Sequence, residues 1–194
     1  MAKIGMKHPV YAPVSSGGEG SAMVYGAGAV LCHAISADVT INRRDNPLYG
    51  DDMKIENDKG VTDYSIAFVG DDVPNAARVA MLGEVAVQQS SAVTHYEIND
   101  DNPPYVGFGY YRVLMVDNVK IFEGFWYHKV QFAIDNENAT SKNEQIDWGT
   151  YNLTGTGFGV ETDNTGTIHM FDRMQFSTEA AALAWVNGRA GISS

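Results

Sequence analysis

Between Tyr105 and Ile134 lie two apolar runs joined by Asp117-Asn118, and no other stretch restricts the possible folds as much. In the first run, Val106, Phe108, Tyr110 and Leu114 fall on one alternation, and Tyr105, Tyr111, Val113 and Met115 on the other. A strand presents successive side chains to opposite faces, so a segment apolar on both alternations needs cover on both. Asp117-Asn118 reads as a turn. Val119 to Ile134 predicts a second long strand, with Phe122, Trp126, Val130, Phe132 and Ile134 on one face. Strands of this kind point to a β domain of packed layers.

The flanking chain adds further strands. Val10 to Val14, bracketed by Pro9 and Pro13, predicts a short first strand, and Val24 to Ala34 a second extended segment weakened by Gly26 and Gly28. Ala37, Val39 and Ile41 alternate with Asp38, Thr40 and Asn42; Tyr64, Ile66 and Phe68 alternate with Asp63, Ser65 and Ala67. Between these two strands runs a long polar stretch from Arg43 to Gly60, RRDNPLYGDDMKIENDKG. Hairpins close with roughly two to five residues, and structureless loops beyond about 12–15 are uncommon unless functional or disordered. The stretch is therefore either a working arm or a floppy insertion.

Asp71-Asp72-Val73-Pro74 predicts the start of a short helix, with Val73, Ala76, Ala77, Ala80 and Met81 near helical spacing and Gly83 as its stop. Glu84 to Asn102 suggests two weak strands turning at Gln88-Gln89-Ser90-Ser91, and Asn99 to Pro104 is a break. A polar loop at Asp135 to Glu144, a third strand at Ile146 to Val160, a hairpin turn at Asp163 to Gly166 and a strand at Thr167 to Gln175 follow. Ser177 and Thr178 suit a helix N-cap, Ala180 to Val186 the helix itself, and Gly188 its stop. The expectation is a single domain over residues 1–194, mainly β (α+β): two packed antiparallel sheets, a flanking short helix and a C-terminal helix at about 177–188.

Charge and motif spacing narrow the function. The chain carries 24 acids against 13 bases, a formal net charge of −11. This argues against an extended phosphate-binding surface, which needs clustered Lys and Arg. Cys32 is the lone cysteine, so no intrachain disulfide exists, and a small buried apolar role is expected. No 18-residue apolar segment and no signal-peptide run appear, so the expected location is the cytoplasm where the chain is made. The five histidines show no metal-ligand spacing, the aspartate pairs at 51–52, 71–72 and 100–101 lack calcium-loop spacing, and no serine sits in an esterase elbow. Gly155, Gly157 and Gly159 open no helix, as a phosphate-cradling loop must. The expectation is no enzyme, no cofactor and no metal. Tyr110, Tyr111, Trp126 and Tyr127 could form a sugar platform, but segments apolar on both faces favour core or subunit interface.

In order and spacing together, several stretches resemble a known family. They are MAKIGMKHPVYAPV at the start, YGAGAVLCHAISADVTI before the arm, LYGDD inside it, and VPNAARVAMLG. DDNPPYVGFGYYRVLMVDNVKIFEGFWYHKVQFAIDNENATSKNEQIDW and FSTEAAALAWVNGRAGI complete the likeness. The chain resembles the major tail protein, the tail-tube subunit, of long non-contractile-tailed bacteriophages. It departs at Gln88 to Ser91, where a glycine-centred turn is expected, and LYGDD replaces an LYADD-like form. The resemblance implies a tail-tube fold and hexameric rings stacked into a hollow tube in the virion tail, assembled in the bacterial host cytoplasm. It also implies tape measure, tail terminator and distal tail proteins as partners, and DNA passing through the lumen without specific binding. On this reading the arm is an assembly contact, expected between rings: Arg43, Arg44, Asp51 and Asp52 offer charge pairs, and Pro47, Leu48 and Tyr49 an apolar anchor. The alternative is a monomeric β-sandwich binding module, for example for a cell-surface sugar.

Overall fold

The computed structural model describes residues 2–90, 93–98, 102–136 and 149–193. The expected mainly β, sandwich-like architecture with two short helices is present. Strands β1 (Ala2–Ser16), β2 (Val24–Tyr25), β3 (Ala29–Val30), β4 (Ala34–Arg43), β5 (Asn46–Gly50), β6 (Met53–Asp58) and β7 (Val61–Gly70) come first. Helix α1 (Asn75–Ala77) continues as a π-helical turn, Arg78–Leu82, that ends at left-handed Gly83, the expected stop. Then follow β8 (Val85–Ser90), β9 (Val93–Glu97), β10 (Tyr105–Val116), β11 (Val119–Asn136), β12 (Tyr151–Gly157), β13 (Val160–Glu161), β14 (Ile168–His169), β15 (Phe171–Phe176) and α2 (Glu179–Ala190). The first strand is far longer than Val10 to Val14. Gln88 and Gln89 lie within β8 rather than in a turn, and residues 91–92, 99–101 and 137–148 fall outside the described residues.

The β10–β11 hairpin is the frame. Asp117 and Asn118 both take positive φ, 49° and 64°, as a two-residue turn matching strand twist requires. One continuous sheet runs β2-β1-β10-β11-β12-β7-β4, antiparallel throughout. The free edge of β11 is divided: Phe122 to Tyr127 pair with β15, and Val130 to Asn136 pair with β12. The expected two layers are thus joined through one hairpin.

Both faces of that hairpin are covered, as the double alternation demands. On one side Val106, Phe108, Tyr110, Phe125, Tyr127, Val130 and Phe132 pack with Tyr64, Ile66, Phe68 and Leu153. On the other, Tyr111, Val113, Phe122 and Trp126 pack with Val10 and Ala12 beneath Ala182, Val186 and Ala190 of α2. The single face expected for Phe122, Trp126, Val130, Phe132 and Ile134 is therefore wrong. Tyr127 pairs with Phe108 but Val130 pairs with Val106, so β11 carries an extra residue at a bulge. A one-residue insertion inverts every following side chain, which sends Phe122 and Trp126 to the helix and Val130 and Phe132 to the main core. Trp126 lies against Gly109, where a Cβ would stand 2.6 Å from the indole.

Thr178 caps α2 as expected, its hydroxyl accepting from the Ala181 N–H at 3.3 Å. The helix does not stop at Gly188. It runs to Ala190 and ends at left-handed Gly191. Ala190 is fully buried, and its carbonyl accepts from the Gly28 N–H at 3.0 Å, so a tertiary contact carries the helix past the first glycine.

Candidate functional site: the arm ribbon and the open sheet edge

The stretch from Arg43 to Gly60 is a β-ribbon rather than a structureless loop. The β4–β7 ladder runs to Arg43 opposite Val61, the Arg44 N–H donates to the Gly60 carbonyl at 3.0 Å, and β5 and β6 continue the pairing. Asp51 and Asp52 take φ of 50° and 60°, both left-handed, and close the tip as a tight turn. Arg44 Nε meets Asp58 Oδ2 at 2.7 Å and clamps the base. Both partners are more than half exposed, so this pair steers geometry more than it stabilises.

Register separates the predicted contact residues. Tyr49 pairs with Lys54 and Pro47 with Asn57, which puts Pro47, Tyr49 and Lys54 on one face. Leu48 faces the opposite way, with Gly50 and Met53. A Cβ on Gly50 would strike Ile55, which places Ile55 on that second face too. The anchor expected at Pro47-Leu48-Tyr49 is thus split, and Met53 and Ile55, not singled out in the sequence reading, complete its other half. The alternation Met53-Lys54-Ile55-Glu56 was the available signal. Leu48, Tyr49, Met53 and Ile55 are 58–69% exposed. A two-stranded ribbon in water is marginal by itself, so four exposed apolar side chains on one mark a contact surface.

Arg43 closes β4 at the arm's root, and Asp51 and Asp52 sit at the tip. Arg44 is drawn to Asp58, and the ladder holds Arg43 and the tip aspartates at opposite ends of the ribbon. The arm is nearly charge-balanced: four of the chain's cations and five of its acids lie in residues 43–60, which leaves the large acidic excess on the body.

Among the described residues the ladder of β4 ends the sheet, so its outer edge offers the backbone donors and acceptors of alternate residues along a ten-residue strand. Ile35 and Ile41 on it are exposed. The side of β4, β7 and β12 turned away from the core carries Ser36, Asp38, Thr40, Asp63, Ser65, Asn152 and Thr156, with Asn42 donating to Asp63. No Lys or Arg occurs in these strands before Arg43.

The other candidates have structural roles. Tyr110, Tyr111, Trp126 and Tyr127 are all buried, so no sugar platform exists on them. Burial, helped by the nearby Asp71 charge, pushes the Cys32 thiol up to about 11, a protonated and unreactive state. His128, Asp172, Arg189 and Tyr25 form a chain that ties α2 to β11 and β15. His128 Nε2 lies 3.3 Å from Asp172 Oδ1, Arg189 2.7 Å from Asp172 Oδ2, and the Tyr25 hydroxyl donates to the His128 carbonyl at 3.0 Å. The Tyr25 hydroxyl, desolvated by burial, is raised to about 12. Glu123, 1% exposed, receives Arg112 at 2.6 Å, Gln175 at 3.2 Å and Arg173 at 3.5 Å, so both of its oxygens are partnered across β10, β11 and β15. No group of three metal-ligating side chains occurs among the described residues, and no helix there is long and apolar enough to cross a membrane. Compared with family models and with curated proteins, the chain finds no match in either.

Proposed function

We propose that this chain is a structural virion protein, the major tail-tube subunit of a long non-contractile-tailed bacteriophage, forming stacked hexameric rings. The observation that carries the reading is the arm: a ribbon that leaves the sheet, presents Leu48, Tyr49, Met53 and Ile55 to solvent and has no body surface covering them. Such a ribbon suits a contact completed by another copy. The β4 edge, unpaired among the described residues, supports the same reading, since joining copies edge to edge consumes backbone groups that otherwise invite aggregation. The cation-free face of β4, β7 and β12, with Asp38 and Asp63, suits a lumen through which DNA passes, because like charge discourages phosphate binding. Tape measure, tail terminator and distal tail proteins are the partners this assembly needs.

Deleting Asn46 to Asp58 tests the reading. The monomer keeps its circular dichroism spectrum, while tubes seen by negative-stain microscopy of the parent chain disappear. Normal tubes from the deletion variant would remove the arm's role. Featureless particles from the parent chain at every concentration would favour the monomeric binding module.

A further inference from the structure

The arm has a counterpart at the far end of the sheet that carries it. β7 meets the arm at Val61, opposite Arg43, and ends at Gly70 beside Tyr151. At about 3.3 Å per residue these two ends lie roughly 30 Å apart. Beyond Gly70 the chain forms α1, the π-helical turn and the β8–β9 ribbon, and two adjoining cavities line this region. The first, about 210 Å³, is walled by Leu82, Ile98, Pro103, Phe132 and Ile134. That is small for a drug-sized ligand, which takes about 300 Å³ or more, and suits one large side chain. The second, about 310 Å³, shares Ile98 and Glu84 with the first and carries Asp72 and Arg78 on its wall, where Arg78 is paired with Glu84 at 3.3 Å. Ile98 stands between them, 80% exposed.

The arm offers the complement. Tyr49 is 65% exposed, and Lys54 lies opposite it on the same ribbon face. An aromatic ring with a cation beside it matches an apolar slot with a carboxylate beside it.

The geometry points to the cleft under the β8–β9 ribbon as the receptor for the arm of a second copy, with Tyr49 entering the slot beside Ile98 and Lys54 meeting Asp72. This rests on the assembly reading and adds the acceptor to it. Copies that share one strand direction then meet head to tail, a heterologous contact that leaves a free arm at one end and a free cleft at the other and so grows open-ended stacks, whereas an antiparallel pair would use both and stop at the dimer.

A Tyr49→Cys/Ile98→Cys double variant under mild oxidation tests this on non-reducing gels. Both positions are exposed, so the fold is expected to persist, which circular dichroism checks. Native Cys32, protonated through burial, serves as the background control in each single variant. The expected result is a disulfide-linked ladder extending past the dimer for the double variant, and nothing beyond the dimer for either single variant. Tubes in micrographs without a ladder overturn the receptor and leave the tube reading standing. Neither tubes nor a ladder at any concentration overturns both, whereas a ladder without tubes upholds the head-to-tail contact and overturns the tube.

Discussion

Gly188 and Gly191 lie three residues apart near the end of α2 and make opposite demands on the backbone. Gly188 is inside the helix, and a Cβ there meets nothing within 4 Å; Gly191 sits at φ +67°. Gly188→Ala should raise stability by about 0.5–1 kcal/mol through helix propensity alone, and Gly191→Ala should lower it, both read by thermal melting. Asp172 supplies a second test at this scale. Its hydrogen bond to His128, more than the charges of His128 and Arg189, holds its carboxyl below the usual aspartate range. A carboxylate depressed on folding adds stability that is complete above its unfolded value, about 3.9, and is lost as pH falls through the folded value. Asp172→Asn should therefore make the acid side of the stability curve shallower below about pH 4 and lower stability at neutral pH.

Among the elements, β11 carries the largest consequence of a single residue. Its bulge exchanges the alternation that faces each core, so that Trp126 lies under α2 while Phe132 lies in the main core. Inserting one alanine after Lys129 would offset the strand by a further residue and turn Val130 and Phe132 to the wrong side. The expected outcome is loss of cooperative unfolding and strong binding of a hydrophobic dye, whereas Lys129→Ala, which keeps the residue count, leaves the fold intact. The arm shows the same logic at smaller size. An expected loop of eighteen residues becomes a ribbon once Asp51 and Asp52 accept left-handed conformations, and cross-strand register then decides which apolar side chains share a face.

For the whole molecule, charge and apolar exposure are separated in space. The arm is close to neutral and exposes its apolar side chains, and the body holds the acidic excess. In the proposed assembly, the acidic bodies of neighbouring copies would repel one another while burial of the exposed apolar arm side chains would favour contact. Raising salt from about 0.01 M to 0.1 M shortens the screening length from about 30 Å to about 10 Å and weakens the repulsion first. The concentration at which light scattering reports assembly should accordingly fall as salt rises. A rise instead would mean that ion pairs such as Lys54 with Asp72, rather than apolar burial, dominate the contact.

Strand and helix identity were readable from periodicity, because alternation and helical spacing are local consequences of covering one face or two. The paired apolar alternations of Tyr105 to Val116 called for cover on both sides, and both covers are present in the fold. The polar break from Arg43 to Gly60 located the arm, and turn and cap residues such as Asp117-Asn118 and Thr178 marked their elements, since their chemistry acts within a few residues. Tertiary contact alone decided the rest. Which core receives Val130 depends on a bulge set by pairing with β10, whether α2 passes Gly188 depends on Ala190 finding Gly28, and how the arm's anchor divides depends on pairing with β6. The cleft at the far end of β7 is assembled from Leu82, Ile98 and Phe132, residues distant in sequence and brought together by the sheet. These features share one physical cause: each is an interaction across strands or layers, and no window along the chain contains both of its partners.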